Sequence, residues 1–154
     1  MEETMNQELI EIKSCGEPGY HPLVYFGGWR VAFLNDTARF HLERIREMQR
    51  HNTSDEVFLL IQGSCTLYVA AALESGIGEI TAVELEPGRM YNVRKGVWHT
   101  HVTGPGAKIA IIEDADVSPD NSELISVDPR ALYEAQNREN GGGAGNALPT
   151  QNGE

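Results

Sequence analysis

From residue 29 to residue 113 the chain is a series of short apolar or alternating runs, each closed by glycine, proline or a polar cluster. Runs of that length and punctuation predict β-strands. Trp29, Val31 and Phe33 alternate with smaller or polar neighbours, as in a half-buried strand, and Asn35-Asp36 ends the run. Residues 57–61 are strongly strand-like, Gly63-Ser64 is a turn, and residues 66–72 read as the returning strand of a hairpin. Further strands are predicted at 79–85, 90–93, 98–103 and 108–113, separated by Gly76-Ile77-Gly78, Glu86-Pro87-Gly88, Arg94-Lys95-Gly96 and Gly104-Pro105-Gly106. Strands repeating every 8 to 12 residues or so, with glycine and proline between them, point to an all-β sandwich or barrel rather than an α/β fold.

The flanks are read less directly. Residues 9–12 form a short apolar segment, either a strand or a turn of helix; Glu17-Pro18-Gly19 is a turn, and residues 20–26 before Gly27-Gly28 are a loop or short strand. Leu42, Ile45 and Met48 sit at helical spacing, whereas Ile45, Glu47, Gln49 and His51 share a face if the backbone is extended. Strand is the expectation for 45–51, because a strand pair follows. Residues 116–121 are a loop, after which Asp128 as N-cap, Pro129 at the first helical position and good helix formers to residue 135 predict a short terminal helix. Glycine, asparagine, glutamine and proline then dominate. The expected organisation is a frayed segment at 1–8, one barrel domain at 9–135 and a disordered tail at 136–154.

Composition narrows the class of function. With 154 residues, 40% of them hydrophobic, the chain suits one globular domain with a real core. A formal charge of −11 repels nucleic acid and anionic membrane. Arg44, Arg46 and Arg50 are interleaved with Glu43 and Glu47, so they read as a solvated mixed-charge face. The N-terminal residues lack the basic and apolar regions of a signal peptide, and no apolar run reaches the roughly 18 residues of a membrane span. Cytoplasmic residence is the expectation. Cys15 and Cys65 match no metal or redox spacing and read as free thiols.

The candidate chemistry sits in two segments. In extended backbone Gln49 and His51 point the same way, and so do His99 and His101. Glu56 shares its face with Phe58 and Leu60, so a strand here carries a carboxylate into an apolar lumen. An ionised carboxylate is expensive there without a metal ion or a cationic partner. His51, Glu56 and His99 are therefore candidate ligands for a divalent metal such as iron, manganese, nickel or zinc, with Gln49 or His101 as a further ligand. Trp98 and Tyr91 either line a pocket or pack the barrel, Lys95 belongs to a turn or meets an anionic substrate at the barrel mouth, and His21 and His41 match no motif.

These segments resemble the two motifs of the cupins. The first has a histidine five positions before Glu56, then Gly63 after six residues; the second runs from Gly88 through Arg94, Lys95 and Gly96 to His99. The resemblance covers residues 42–113 and implies a small single-domain cupin, a jelly-roll β-barrel (double-stranded β-helix) around a metal site, commonly paired as a homodimer. It matches His51, Glu56 and His99 to metal ligands, with Gln49 in place of the usual first histidine, Arg94 in place of a proline and Thr103 in place of an asparagine. It implies binding of, or action on, a small polar metabolite, with Gln49, His101 or Tyr91 orienting the substrate or relaying a proton. Residues 90–99, with the stretch from Arg50 to Phe58, are also similar to ureidoglycolate lyases, which implies a metal-independent release of urea and glyoxylate. A non-catalytic sensor is the third reading.

Overall fold

The computed structural model describes residues 9–144, and the expected frayed segment at 1–8 lies outside them. Twelve strands and one α-helix follow in chain order: β1 (Gly19–Phe26), β2 (Trp29–Asn35), β3 (Glu47–His51), β4 (Glu56–Gln62), β5 (Cys65–Ala70), β6 (Ala72–Leu73), β7 (Gly76–Ile77), β8 (Thr81–Glu84), β9 (Tyr91–Val93), β10 (Trp98–Thr103), β11 (Lys108–Asp114), β12 (Ser122–Ser126) and α1 (Pro129–Ala144). Two short 3-10 turns, Ala38–Phe40 and Leu42–Arg44, lie between β2 and β3. They account for the helical spacing of Leu42 and Ile45, and the extended reading holds from Glu47 onward.

Two five-stranded antiparallel sheets make the barrel, in the orders β1-β2-β11-β4-β9 and β12-β3-β10-β5-β8, with β6 and β7 as a small separate ribbon. The hairpin predicted from β4 to β5 is therefore not a hairpin. β4 pairs with β11 and β9, whereas β5 pairs with β10 and β8. Glycine at 63 signals a sharp change of direction in either case, and only long-range pairing decides whether the chain folds back or crosses to the opposite sheet. Gly63 adopts φ +75°, and a Cβ there would come within 2.6 Å of the Ala107 Cα, so the corner excludes any side chain.

The interior apolar cluster draws Leu34, Phe58, Leu60, Ile109 and Ile111 from one sheet and Cys65 and Leu67 from the other. A second cluster lies on the outer face of the second sheet, where Met48, Tyr68, Ala70, Ala82 and Trp98 meet Leu132 and Ala135 of α1. Both faces of β5 and β10 are thus covered, which is why their sequences lack a clean apolar and polar alternation. Trp98 belongs to this outer packing, with the Arg50 guanidinium 5.0 Å above its ring, and faces away from the barrel interior.

Three flank readings change. Residues 9–12 form neither strand nor helix, and Leu9 is 89% exposed, because no sheet edge reaches them. The segment at 20–26 is a full strand, paired with β2 from Gly19↔Asn35 to Phe26↔Trp29. Ser122–Ser126, a stretch with no predicted element between the 116–121 loop and the helix, pairs with β3 as a strand. The C-terminal helix begins as expected, with the Arg130 amide donating to the Asp128 carboxylate at 2.9 Å. It continues through Ala144, past the point where composition predicts loss of order; the remainder of the expected tail lies outside the described residues. No helix among the described residues is long and apolar enough to cross a membrane.

Candidate functional site

The inner faces of the two sheets carry the polar groups at one side of the barrel. β4 brings Glu56 inward in line with Phe58 and Leu60, β3 brings His51 and Gln49, and β10 brings His99, which lies directly opposite Gln49. His51, Glu56 and His99 are all buried, and their ligand atoms lie within 4.8 Å of one another. The Glu56 Oε1 stands 3.0 Å from the His51 Nε2 and 2.9 Å from the His99 Nε2. The turn between β9 and β10 holds this arrangement from behind, since the Gly96 amide donates to the His51 carbonyl at 2.7 Å.

The outer nitrogens of both rings have defined partners. The His99 Nδ1 lies 3.1 Å from the Val97 carbonyl, which accepts only, so Nδ1 carries a proton. The Asn121 amide is oriented by the Ser118 amide, which donates to its Oδ1, and by the Asp116 carbonyl, which accepts from its Nδ2. The Ser122 hydroxyl then donates to that Oδ1 at 3.1 Å, which leaves Ser122 Oγ to accept from the His51 Nδ1 at 2.8 Å. In a neutral ring one nitrogen is protonated. Two neutral imidazoles would therefore aim bare Nε2 lone pairs at a carboxylate oxygen, and the contact requires positive charge, from imidazolium or from a cation held between them.

Electrostatics agree with that requirement. Burial opposes ionisation of Glu56, but the two imidazole hydrogen bonds outweigh it and hold the carboxyl well below its usual range. Burial likewise opposes charge on His51, and the hydrogen bond to Glu56 prevails and raises its pKa. Donor separations of 2.9 and 3.0 Å also suit a metal, since adjacent ligands about 2.1 Å from one ion lie about 3 Å apart.

A second polar cluster adjoins the first, and sequence reasoning missed it. Glu113 of β11 is in register with Glu56 of β4 and is also buried. It accepts from the Tyr20 hydroxyl and from Arg30, whose Nη2 and Nε lie 2.9 and 3.1 Å away. Burial raises the Glu113 pKa, and the charge of Glu56 adds to the rise. A signal for Glu113 was present: it shares a face with Ile109 and Ile111, as Glu56 does with Phe58 and Leu60. Tyr20 and Arg30 carry no comparable local signal.

His51, Glu56 and Gln49 border a cavity of about 290 Å³ together with Tyr20, Arg30, Arg39, Phe40, His101 and Glu113. His99 is buried and does not line it. The His101 ring packs edge-on against Phe40 at 4.8 Å, and burial lowers its pKa to about 4. Tyr91 is not brought to this cavity; it borders a separate groove with Leu67, Val69 and Val83, and its hydroxyl accepts from the Glu86 amide at 3.0 Å. Lys95 sits in the turn before β10, its amide donating to Asp55. His21 and His41 are remote from the cluster, bonded to the Pro18 carbonyl and to Asp36 respectively.

No family model and no curated protein matches the sequence. Solved structures do. A cupin-2 domain-containing protein from Shewanella frigidimarina is 21% identical over 72% of this chain and 90% of its own, with a TM-score of 0.43. CapF, solved with the inhibitor 3-isopropenyl-tropolone, is 14% identical over 74% of this chain and 34% of its own, with a TM-score of 0.52. A PAC13 variant from Streptomyces, solved with uridine, is 8% identical over 70% of this chain and 77% of its own, with a TM-score of 0.50. The two antiparallel sheets agree with the CapF and PAC13 matches. The chain has the cupin fold. Within that cupin barrel β3 of the first motif segment and β10 of the second are neighbours in one sheet, and β4, also of the first segment, belongs to the other sheet.

Proposed function

We propose that this cupin barrel binds a divalent first-row metal through His51, Glu56 and His99 and uses it to bind or transform a small polar metabolite. The observation that carries the reading is the pair of imidazoles whose protonated Nδ1 atoms are committed to Val97 and Ser122, leaving both Nε2 atoms to face Glu56. Such outer partners are how metal-ligating histidines are oriented. A bound ion would supply Lewis acidity toward a substrate oxygen. The protein's own part is to hold the donors rigid, to exclude bulk water and to orient the ligand from Gln49 and His101, which border the same cavity. Similar barrels solved with a tropolone and with uridine support a small-molecule ligand.

Iron, manganese, nickel and zinc all accept two imidazoles and a carboxylate. Elemental analysis of the purified protein distinguishes them, and the expected content is near one equivalent, lost in His51→Ala. A content below about a tenth of an equivalent, unchanged in that variant, would remove the metal from this account. The ureidoglycolate lyase reading and the homodimer rest on resemblance alone, and the cytoplasmic setting rests on sequence pattern alone.

A further inference from the structure

The cavity contains more hydrogen-bond donors than the protein itself uses. Glu113 is committed to Tyr20 and Arg30, so Arg30 is not a free cation. Arg39 is different: it borders the cavity at the 3-10 turn Ala38–Phe40, its guanidinium lies 5.1 Å over the Phe40 ring, and it has no carboxylate partner among the described residues. Both ring nitrogens of His101 are buried without a partner. One of them must carry a proton, and a buried donor without an acceptor costs about 1–3 kcal/mol. Gln49, on the same wall, makes no side-chain hydrogen bond among the described residues.

We propose that Arg39, His101 and Gln49 form a receptor for one carboxylate of a small organic acid, whose second oxygen reaches toward His51, Glu56 and His99. The second contact rests on the metal reading; the first does not. Arg39 is a pure donor with a planar fork that matches a carboxylate, and His101 and Gln49 supply an N–H each beside it. Leu34, Phe40 and Ile111 give the carbon frame an apolar wall. Charge balance points the same way. Two guanidinium groups and two carboxylates border the cavity and cancel, so on the metal reading a divalent ion leaves a positive surplus that an anion neutralises, although the whole chain carries −11. A volume of about 290 Å³ lies at the low end for ligand pockets and selects a small acid.

Titration calorimetry with malonate, its neutral diamide malonamide and inorganic phosphate tests the receptor on protein whose metal content has been measured. Malonate is expected to bind and malonamide not to. Arg39→Gln should weaken malonate by about tenfold or more, Arg39→Lys by less, and Arg89→Gln, at an exposed site paired with Glu86, by no more than about twofold. An Arg39→Gln protein that binds malonate within about twofold of the unaltered chain overturns the proposal. So does equal binding of malonamide, a preference for phosphate, or no malonate binding up to roughly 10 mM. Metal content separates the two readings: malonate binding through Arg39 in metal-free protein keeps the receptor and removes the metal, whereas full metal content with an indifferent Arg39→Gln does the reverse.

Discussion

Glu56 and Glu113 lie opposite each other on neighbouring strands, both buried, and the barrel treats them differently. Glu113 receives real donors, a guanidinium and a phenol, so the protein itself neutralises it. Glu56 receives two imidazole nitrogens whose protons are tied up on the far side of the rings. One carboxylate is closed by permanent donors; the other faces two imidazole nitrogens and needs positive charge from imidazolium or from a cation. A buried acidic residue is thus not in itself a sign of a metal site, and what distinguishes the two cases is where the protons of the neighbouring groups are committed.

The largest expected effect separates the pair outright. Glu56→Gln should reduce metal content from near one equivalent to background, whereas Glu113→Gln should leave it close to that of the unaltered protein, as elemental analysis reads. Equal loss in both variants would merge the two clusters into one site. Next, Arg30→Met strands the buried Glu113 and should destabilise the fold by about 3 kcal/mol in denaturant unfolding, with much of it recovered in Arg30→Met combined with Glu113→Leu. No recovery in the double variant would mean that Arg30 acts through packing rather than charge.

A pH dependence follows from His101. Its folded-state pKa is depressed by burial to about 4 from 6.5, so the unfolded chain binds the proton first as pH falls. Stability contributed by the neutral ring is complete above 6.5 and is lost between 6.5 and about 4, by roughly 3 kcal/mol. His101→Phe should flatten that part of the acid unfolding profile, and an unchanged profile would show that the ring titrates normally. Glu56 behaves similarly at lower pH in the metal-free protein: its pKa is depressed, so its contribution is present above 4.5 and declines as pH falls further. The smallest effect belongs to the outer partner. Ser122→Ala removes the acceptor for the His51 Nδ1 and should weaken metal affinity by about tenfold in competition with a chelator, without abolishing binding. Affinity unchanged would argue that Ser122 does not set the ring's orientation.

Much of this comparison was legible from spacing. Strand periodicity puts Glu56 on the face of Phe58 and Leu60, and His99 on the face of His101, whatever the partners. Other parts were not legible. Tyr91 stands three residues before Arg94 in the second motif, but β9 directs it to a different groove from His51 and Gln49. Ser122 sits 71 residues from His51 in the chain and meets it only because β12 adds to the edge of the second sheet. Arg30 and Glu113 are 83 residues apart and meet through β2 and β11.

The sequence by itself determined the all-β character, the inward direction of Glu56 and the grouping of Gln49, His51, His99 and His101 on alternating positions, because these follow from a two-residue repeat that acts locally. Only the tertiary structure decided that the chain crosses between sheets at Gly63, that Glu113 faces Glu56, and that Arg30 is spent while Arg39 is not. Strand partners are chosen by the best burial available over the whole chain, and turn residues specify that the chain bends without specifying which strand it will join.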